Sequence, residues 1–206
     1  KNDANYANDT TYHIGTSGTT TTESNGIRVS QGEAQVNSIN FIIGEHSNSS
    51  DFDTKNNGIF VDGTSSKLEV NDSNFDIKSY KNNGVVIDGT GATDKNKISR
   101  SNFKIYNDYN DNIPAQYHNA EKTGLLLKGA VGGNYGHSIS NYAGTGTDYN
   151  NNTFDIEGPA SGNEIQRVSG VYLNGVSGDV KVGGTFNVNS SNAGSYNSGI
   201  FVDGTT

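Results

Sequence analysis

Gly58-Ile59-Phe60-Val61-Asp62-Gly63-Thr64 returns residue for residue as Gly199-Ile200-Phe201-Val202-Asp203-Gly204-Thr205. Looser copies run from Gly84 to Gly89, Gly124 to Gly129 and Gly170 to Gly175, and a degenerate one begins Gly26-Ile27-Arg28-Val29. Between successive copies lies a second motif, a phenylalanine, any residue, then Ile or Val. It reads Phe41-Ile42-Ile43, Phe75-Asp76-Ile77, Phe103-Lys104-Ile105, Phe154-Asp155-Ile156 and Phe186-Asn187-Val188. The two alternate strictly. Such self-similarity at a period of tens of residues marks a repeat architecture.

A third, weaker apolar–any–apolar element completes each unit: Ala34-Gln35-Val36, Leu68-Glu69-Val70, Ile98, Ile139 and Val180-Lys181-Val182. Period-2 alternation over so few residues predicts short strands with one buried face, joined by the Gly, Asn, Ser, Thr and Asp that turns require. No stretch sustains a 3.6-residue period, so helix is expected to be minimal. Three short strands per unit, repeated about six times, predict a right-handed parallel β-helix whose coils stack about 4.8 Å apart and draw stability from neighbouring coils. Glycine intervals of 32 (26 to 58), 26 (58 to 84) and 29 (170 to 199) fit single coils, and the longer ones after Gly84 and Gly124 call for looped-out insertions. A β-sandwich also has evenly spaced strands, but it does not alternate two fixed motifs.

Composition agrees with a narrow apolar column. Of 206 residues, 31% are hydrophobic, while 27 are glycine and 30 asparagine. With no cysteine there is no disulfide framework, zinc finger or thiolate nucleophile. A net charge of −8 argues against wrapping nucleic acid, and no apolar run is long enough to span a bilayer. Residues 1–24 read as a polar N-terminal segment or partial first coil, and 25–206 as the β-helix. Because Gly199–Thr205 opens a unit that then stops, an internal piece of a longer repetitive protein is expected.

Alternation also assigns faces. In the glycine motif, the first and third apolar positions (Ile59 and Val61 to Ile200 and Val202) are aliphatic and should point inward. The middle column, Arg28, Phe60, Val86, Leu126, Tyr172 and Phe201, should point outward yet is mostly apolar. In the phenylalanine motif the middle column is mostly polar and reads as a solvated face. An outward apolar stripe marks an interaction surface or a seat for the inserted loops; Phe60, Leu126, Tyr172 and Phe201 are therefore candidate partner-binding residues. Asp62, Asp88, Asn174 and Asp203, and Asn74 with Asn102, are expected to stack as ladders.

Six of the eleven tyrosines, Tyr106, Tyr109, Tyr117, Tyr135, Tyr142 and Tyr149, fall between residues 106 and 149. Tyrosine is an amphipathic contact residue of low side-chain entropy, so these six either contact a partner or clamp the insertions onto the coil. Catalytic and metal chemistry find little support. His13, His46, His118 and His137 occupy no matching coil positions, and Gly136-His137-Ser138 lacks the second glycine and the acids of a polysaccharide hydrolase. Asp51–Gly58 opens like a calcium loop but places Lys55 where an oxygen ligand belongs; Asp108–Asn112 lacks the loop glycine. Unit lengths of 26 to 46 residues spoil the flat threonine face that ice binding needs. No catalytic residue, metal or cofactor is assigned.

The glycine–aliphatic–any–aliphatic–Asp/Asn–Gly repeat, the Phe-any-Ile strand, the Asn/Gly/Ser/Thr-rich turns and the absence of cysteine resemble passenger domains of bacterial autotransporters and related type V secreted adhesins, over residues 25 to 206. The resemblance implies export and display at the bacterial surface, with a protein or glycan receptor on a cell or matrix as partner. It supplies no catalytic motif. Lateral or end-to-end self-association is a further expectation, since coil ends carry unpaired strand edges. A carbohydrate-active β-helix enzyme is the alternative.

Overall fold

A computed structural model describes residues 10–15, 23–44, 55–63, 65–78, 81–89, 92–106, 121–135, 152–158, 167–177, 180–189 and 196–204. Every regular element among them is a strand. In chain order these are β1 (Thr11–Ile14), β2 (Glu23–Val29), β3 (Glu33–Asn37), β4 (Asn40–Ile43), β5 (Lys55–Asp62), β6 (Lys67–Asn71), β7 (Asn74–Lys78) and β8 (Lys81–Asp88). There follow β9 (Ala92–Ser99), β10 (Asn102–Tyr106), β11 (Glu121–Tyr135), β12 (Asn152–Glu157), β13 (Arg167–Ser177), β14 (Val180–Val182), β15 (Gly184–Asn189) and β16 (Tyr196–Asp203).

The chain visits three faces in turn and returns to each one coil later, so all pairing is parallel. Sheet A runs β1-β4-β7-β10-β12-β15. Sheet B stacks β2, β5, β8, the first part of β11, β13 and β16. Sheet C stacks β3, β6, β9, the last part of β11, and β14. This is a parallel β-helix with three strands per coil. β1 belongs to sheet A, so the segment ahead of residue 25 contains a partial first coil. Residues 107–120 and 136–151, where the insertions are expected, lie outside the described residues.

Register delivers the columns that the alternation predicts. Ile59 pairs with Val85, Val85 with Leu125, Leu125 with Val171, and Val171 with Ile200. On sheet A the rings of Tyr12, Phe41, Phe75, Phe103, Phe154 and Phe186 form one ladder. Its centroid separations settle from 5.5 and 4.9 Å to 4.6 Å for the last three steps, with interplanar angles of 3 to 6° there. Ring spacing near the backbone rise lets each ring bury both faces against identical neighbours, the packing of a side-chain ladder. Beside it Ile43, Ile77, Ile105 and Ile156 are completely buried.

The motif glycine has a packing reason. A Cβ at Gly26, Gly58, Gly84, Gly124 or Gly170 would sit 2.6–2.7 Å from the carbonyl oxygen of the corresponding glycine one coil on, and against the Ile or Phe of sheet A. The backbones touch where a side chain would stand. Left-handed residues cluster at another corner: Ser38, Asp72 and Arg100, with φ of 57, 53 and 48°, occupy matching positions between sheets C and A. Ser38 and Asp72 are of the types expected at turns; Arg100 is not. Here the turn is held by Arg100 gripping Asp72 through Nε (2.7 Å) and a second nitrogen (2.8 Å), which draws the Asp72 carboxyl below its usual range.

One sequence assignment needs correction. The third strand of the fourth coil is formed by Gly133, Asn134 and Tyr135, which pair with Val180, Lys181 and Val182; Ile139 lies outside the described residues. Tyr135 takes the inward place held by Ile98 one coil earlier and is 1% exposed. Its ring belongs to the axial core and so faces no partner. Burial pushes its phenol pKa up, against the opposing influence of the Asn96 side-chain amide. Gly133 makes the room, since a Cβ there would lie 2.8 Å from the Tyr135 hydroxyl. Tyr135→Phe removes one buried hydroxyl and keeps the ring, so thermal or chemical denaturation should show a loss of no more than about 1 kcal/mol.

Candidate functional site: the outer groove of sheet B

Outward positions of sheet B carry the apolar stripe. Val86, Leu126 and Tyr172 pack as a cluster separate from the axial core, with Phe60 and Phe201 against it. Register makes it continuous: Arg28 pairs with Phe60, Phe60 with Val86, Val86 with Leu126, Leu126 with Tyr172, and Tyr172 with Phe201. The three central side chains are nearly closed to water, at 3, 8 and 6% exposure, while Phe60 and Phe201 are partly open.

Above this floor runs a groove of about 520 Å³. One lip carries Glu23, Lys55, Asn57, Asn83 and Glu121; the other carries Asp88, Lys128 and Asn174. The first lip contains an amide ladder in which Asn57 donates to Asn25 and Asn83 donates to Asn57, each at 2.9 Å. The second contains the expected Asp column, with a change. Asp62 and Asp88 are direct neighbours, and their like charges are answered by Arg28 at 3.2 Å and Lys128 at 3.3 Å. Lys128 stands between Asp88 and Asn174, so this column is a string of ion pairs rather than a uniform ladder.

Both ends of the stripe bear an arginine on an aromatic face. Arg28 lies 5.2 Å from the Phe60 centroid, and Arg167 lies 4.2 Å from that of Phe201 and 5.5 Å from that of Tyr172. Arg167 also pairs with Glu121 at 3.0 Å. The Tyr172 hydroxyl donates to Asp203 at 3.1 Å, and burial first, then this carboxylate, raise its pKa. Paired charges over an apolar floor suit a ligand with little net charge and some apolar face.

The structure thus brings Phe60, Leu126, Tyr172 and Phe201 together. Tyr106 lies elsewhere, at the end of β10 in sheet A, beside the amines of Lys104 (4.4 Å from its ring centroid) and Lys78 (5.7 Å). Tyr109, Tyr117, Tyr142 and Tyr149 lie outside the described residues, as do His46, His118 and His137. The sheet-A ladder is present, with Asn102 donating to Asn74 at 2.9 Å and Asn74 to Asn40 at 2.8 Å.

Two buried polar columns went unread in the sequence. Where sheet C turns into A, Ser73 N donates to Ser101 Oγ at 3.2 Å and Ser101 N to Asn152 Oδ1 at 3.1 Å. Where A turns into B, Asn56 donates to the Lys78 carbonyl at 2.7 Å, and Asn82 and Lys122 follow in register. The signal for the second was legible: Lys-Asn-Asn-Gly occurs at 55–58 and 81–84, then Glu-Lys-Thr-Gly at 121–124.

Among the described residues, no cluster of three or more His, Asp or Glu is placed to hold a metal ion, and no helix is long and apolar enough to cross a membrane. Comparison with known protein families, curated proteins and solved structures finds no match to this chain.

Proposed function

We propose that this chain is a non-enzymatic adhesive or stalk segment of a secreted bacterial passenger protein, displayed outside the cell and binding a protein or glycan receptor on a cell or matrix. The observation that carries the reading is the outward apolar stripe of sheet B, which runs unbroken over five coils beneath a groove with neutralised, amide-bearing lips. A solvated outer face has no need of such a stripe. A receptor-binding surface does, with aromatic anchors inside a polar rim. The β-helix supports the stalk part, because adding coils lengthens it without a new core.

The test is binding of the whole chain to host cells and extracellular matrix, comparing the natural protein with Phe60→Ala. Phe60 is only partly buried, so the fold should survive its truncation. Binding should weaken tenfold or more, the effect of losing about 1.4 kcal/mol at an anchor. Equal binding would remove the groove from the account. New reducing ends or double bonds on pectin, alginate or glycosaminoglycans would replace the adhesin reading with a carbohydrate-active enzyme.

A further inference from the structure

The corner between sheets A and B holds a reactive pair that neither the fold nor the groove uses. β8 enters sheet B through Asn82, and β11 sets Lys122 in register beside it, 40 residues later. Both side chains are fully buried. Lys122 Nζ lies 2.7 Å from Asn82 Oδ1. The other end of the carboxamide is fixed, because Asn82 Nδ2 donates to the carbonyls of Ile77 and Tyr106, each at 3.1 Å. Glu157 ends β12 one coil beyond Tyr106, and its carboxylate is the charge that bears on the amine. Earlier coils fill this corner with Ser24 and Asn56; a long amine replaces the short amide only in the coil of β11.

We propose that Lys122 and Asn82 close an intramolecular isopeptide bond. The neutral amine attacks Asn82 Cγ, the Nζ–Cγ bond forms and the Cγ–Nδ2 bond breaks. A proton passes from Nζ to Nδ2, and Nδ2 leaves as ammonia. No oxidant, reductant or co-reactant enters. The new amide keeps one N–H for the corner carbonyls, and the bond closes a 40-residue ring across two coils. Such a ring constrains the unfolded chain as a disulfide does, in a protein that has no cysteine.

Two features favour the step. Attack is intramolecular between groups held in contact, where orientation supplies much of the barrier reduction. The amine is also available as the free base: burial lowers its pKa from 10.5 to about 7, against the opposing pull of Glu157. The neutral fraction grows as pH rises through that value. Ring closure should therefore slow about tenfold for each pH unit below 7 and level off above it.

Intact-mass spectrometry of the folded chain is the test. The expected result is a mass below that of the sequence by one ammonia, with a branched peptide joining residues 82 and 122 after proteolysis. Asn-Gly steps such as Asn83-Gly84 also lose ammonia when they cyclise to a succinimide. The control is Lys122→Met, which keeps an apolar stem and must abolish the loss. Asn82→Asp must instead lose one water, which keeps the proposal testable if the methionine variant fails to fold. A folded chain of full sequence mass, or a loss that persists in Lys122→Met, would overturn the step. This inference is independent of the adhesin reading, since it needs no receptor.

Discussion

Phe103→Ala is expected to destabilise the protein by about 3–5 kcal/mol, the cost of emptying a buried phenylalanine site. Phe103 stands in the middle of the ring ladder, 4.6 Å from both Phe75 and Phe154, and is 1% exposed. Truncation removes two stacking faces at once, and the flanking rings cannot close the gap while their strands stay hydrogen-bonded to β10. Each coil contacts only its neighbours, so the cavity also weakens the coupling between the two halves of the stack. Chemical denaturation followed by tyrosine fluorescence and by circular dichroism should show both effects: a lower midpoint, and transitions that no longer coincide between probes. Tyr12→Ala, at the open end of the same ladder and 49% exposed, should cost far less.

Gly84→Ala has the second largest expected effect, about 1–3 kcal/mol from overpacking. Its Cβ would meet the carbonyl oxygen of Gly124 at 2.6 Å, and the Ile105 and Phe154 side chains at 3.1 Å. Backbone cannot move aside there without lifting one coil off the next. The same motif supplies its own control in Gly89, where a Cβ would come no nearer than 3.4 Å to any atom. Gly89→Ala should therefore fall within about 0.5 kcal/mol of the natural protein. Equal costs at the two positions would mean that the glycine serves backbone conformation rather than close coil contact.

Much of this architecture is written in the sequence because it is periodic. Phe-any-Ile or Val occurs five times, so its inward and outward positions are over-determined, and the strands, their order and their register follow. The stripe from Phe60 to Phe201 was legible for the same reason, as one column of a repeated motif. What escaped was either aperiodic or polar. Tyr135 replaces an aliphatic residue in the column, and only the pair Gly132-Gly133 ahead of it hints that a ring is being accommodated. The charge column was misjudged because Lys128 breaks it in one coil. The buried corner polars were missed because hydropathy assigns Ser, Asn and Lys to the surface, whereas a corner full of backbone groups needs donors inside. Lys122 is the extreme case. An amine in an interior position is legible only when Lys-Asn-Asn-Gly and Glu-Lys-Thr-Gly are laid over one another.

The stacking of coils is tested most directly by distances between spin labels on the outer face of sheet A, placed on cysteines introduced into a chain that has none. Ile42, Asp76, Lys104, Asp155 and Asn187 occupy one column in successive coils. At about 4.8 Å per coil, the backbone separation should be roughly 14 Å from Ile42 to Asp155 and roughly 19 Å from Ile42 to Asn187. The second distance should exceed the first by a single coil height, although 32 residues separate Asp155 from Asn187. Two distances that differ by much more than one coil, or that fall in the reverse order, would contradict the β-helix and everything built upon it.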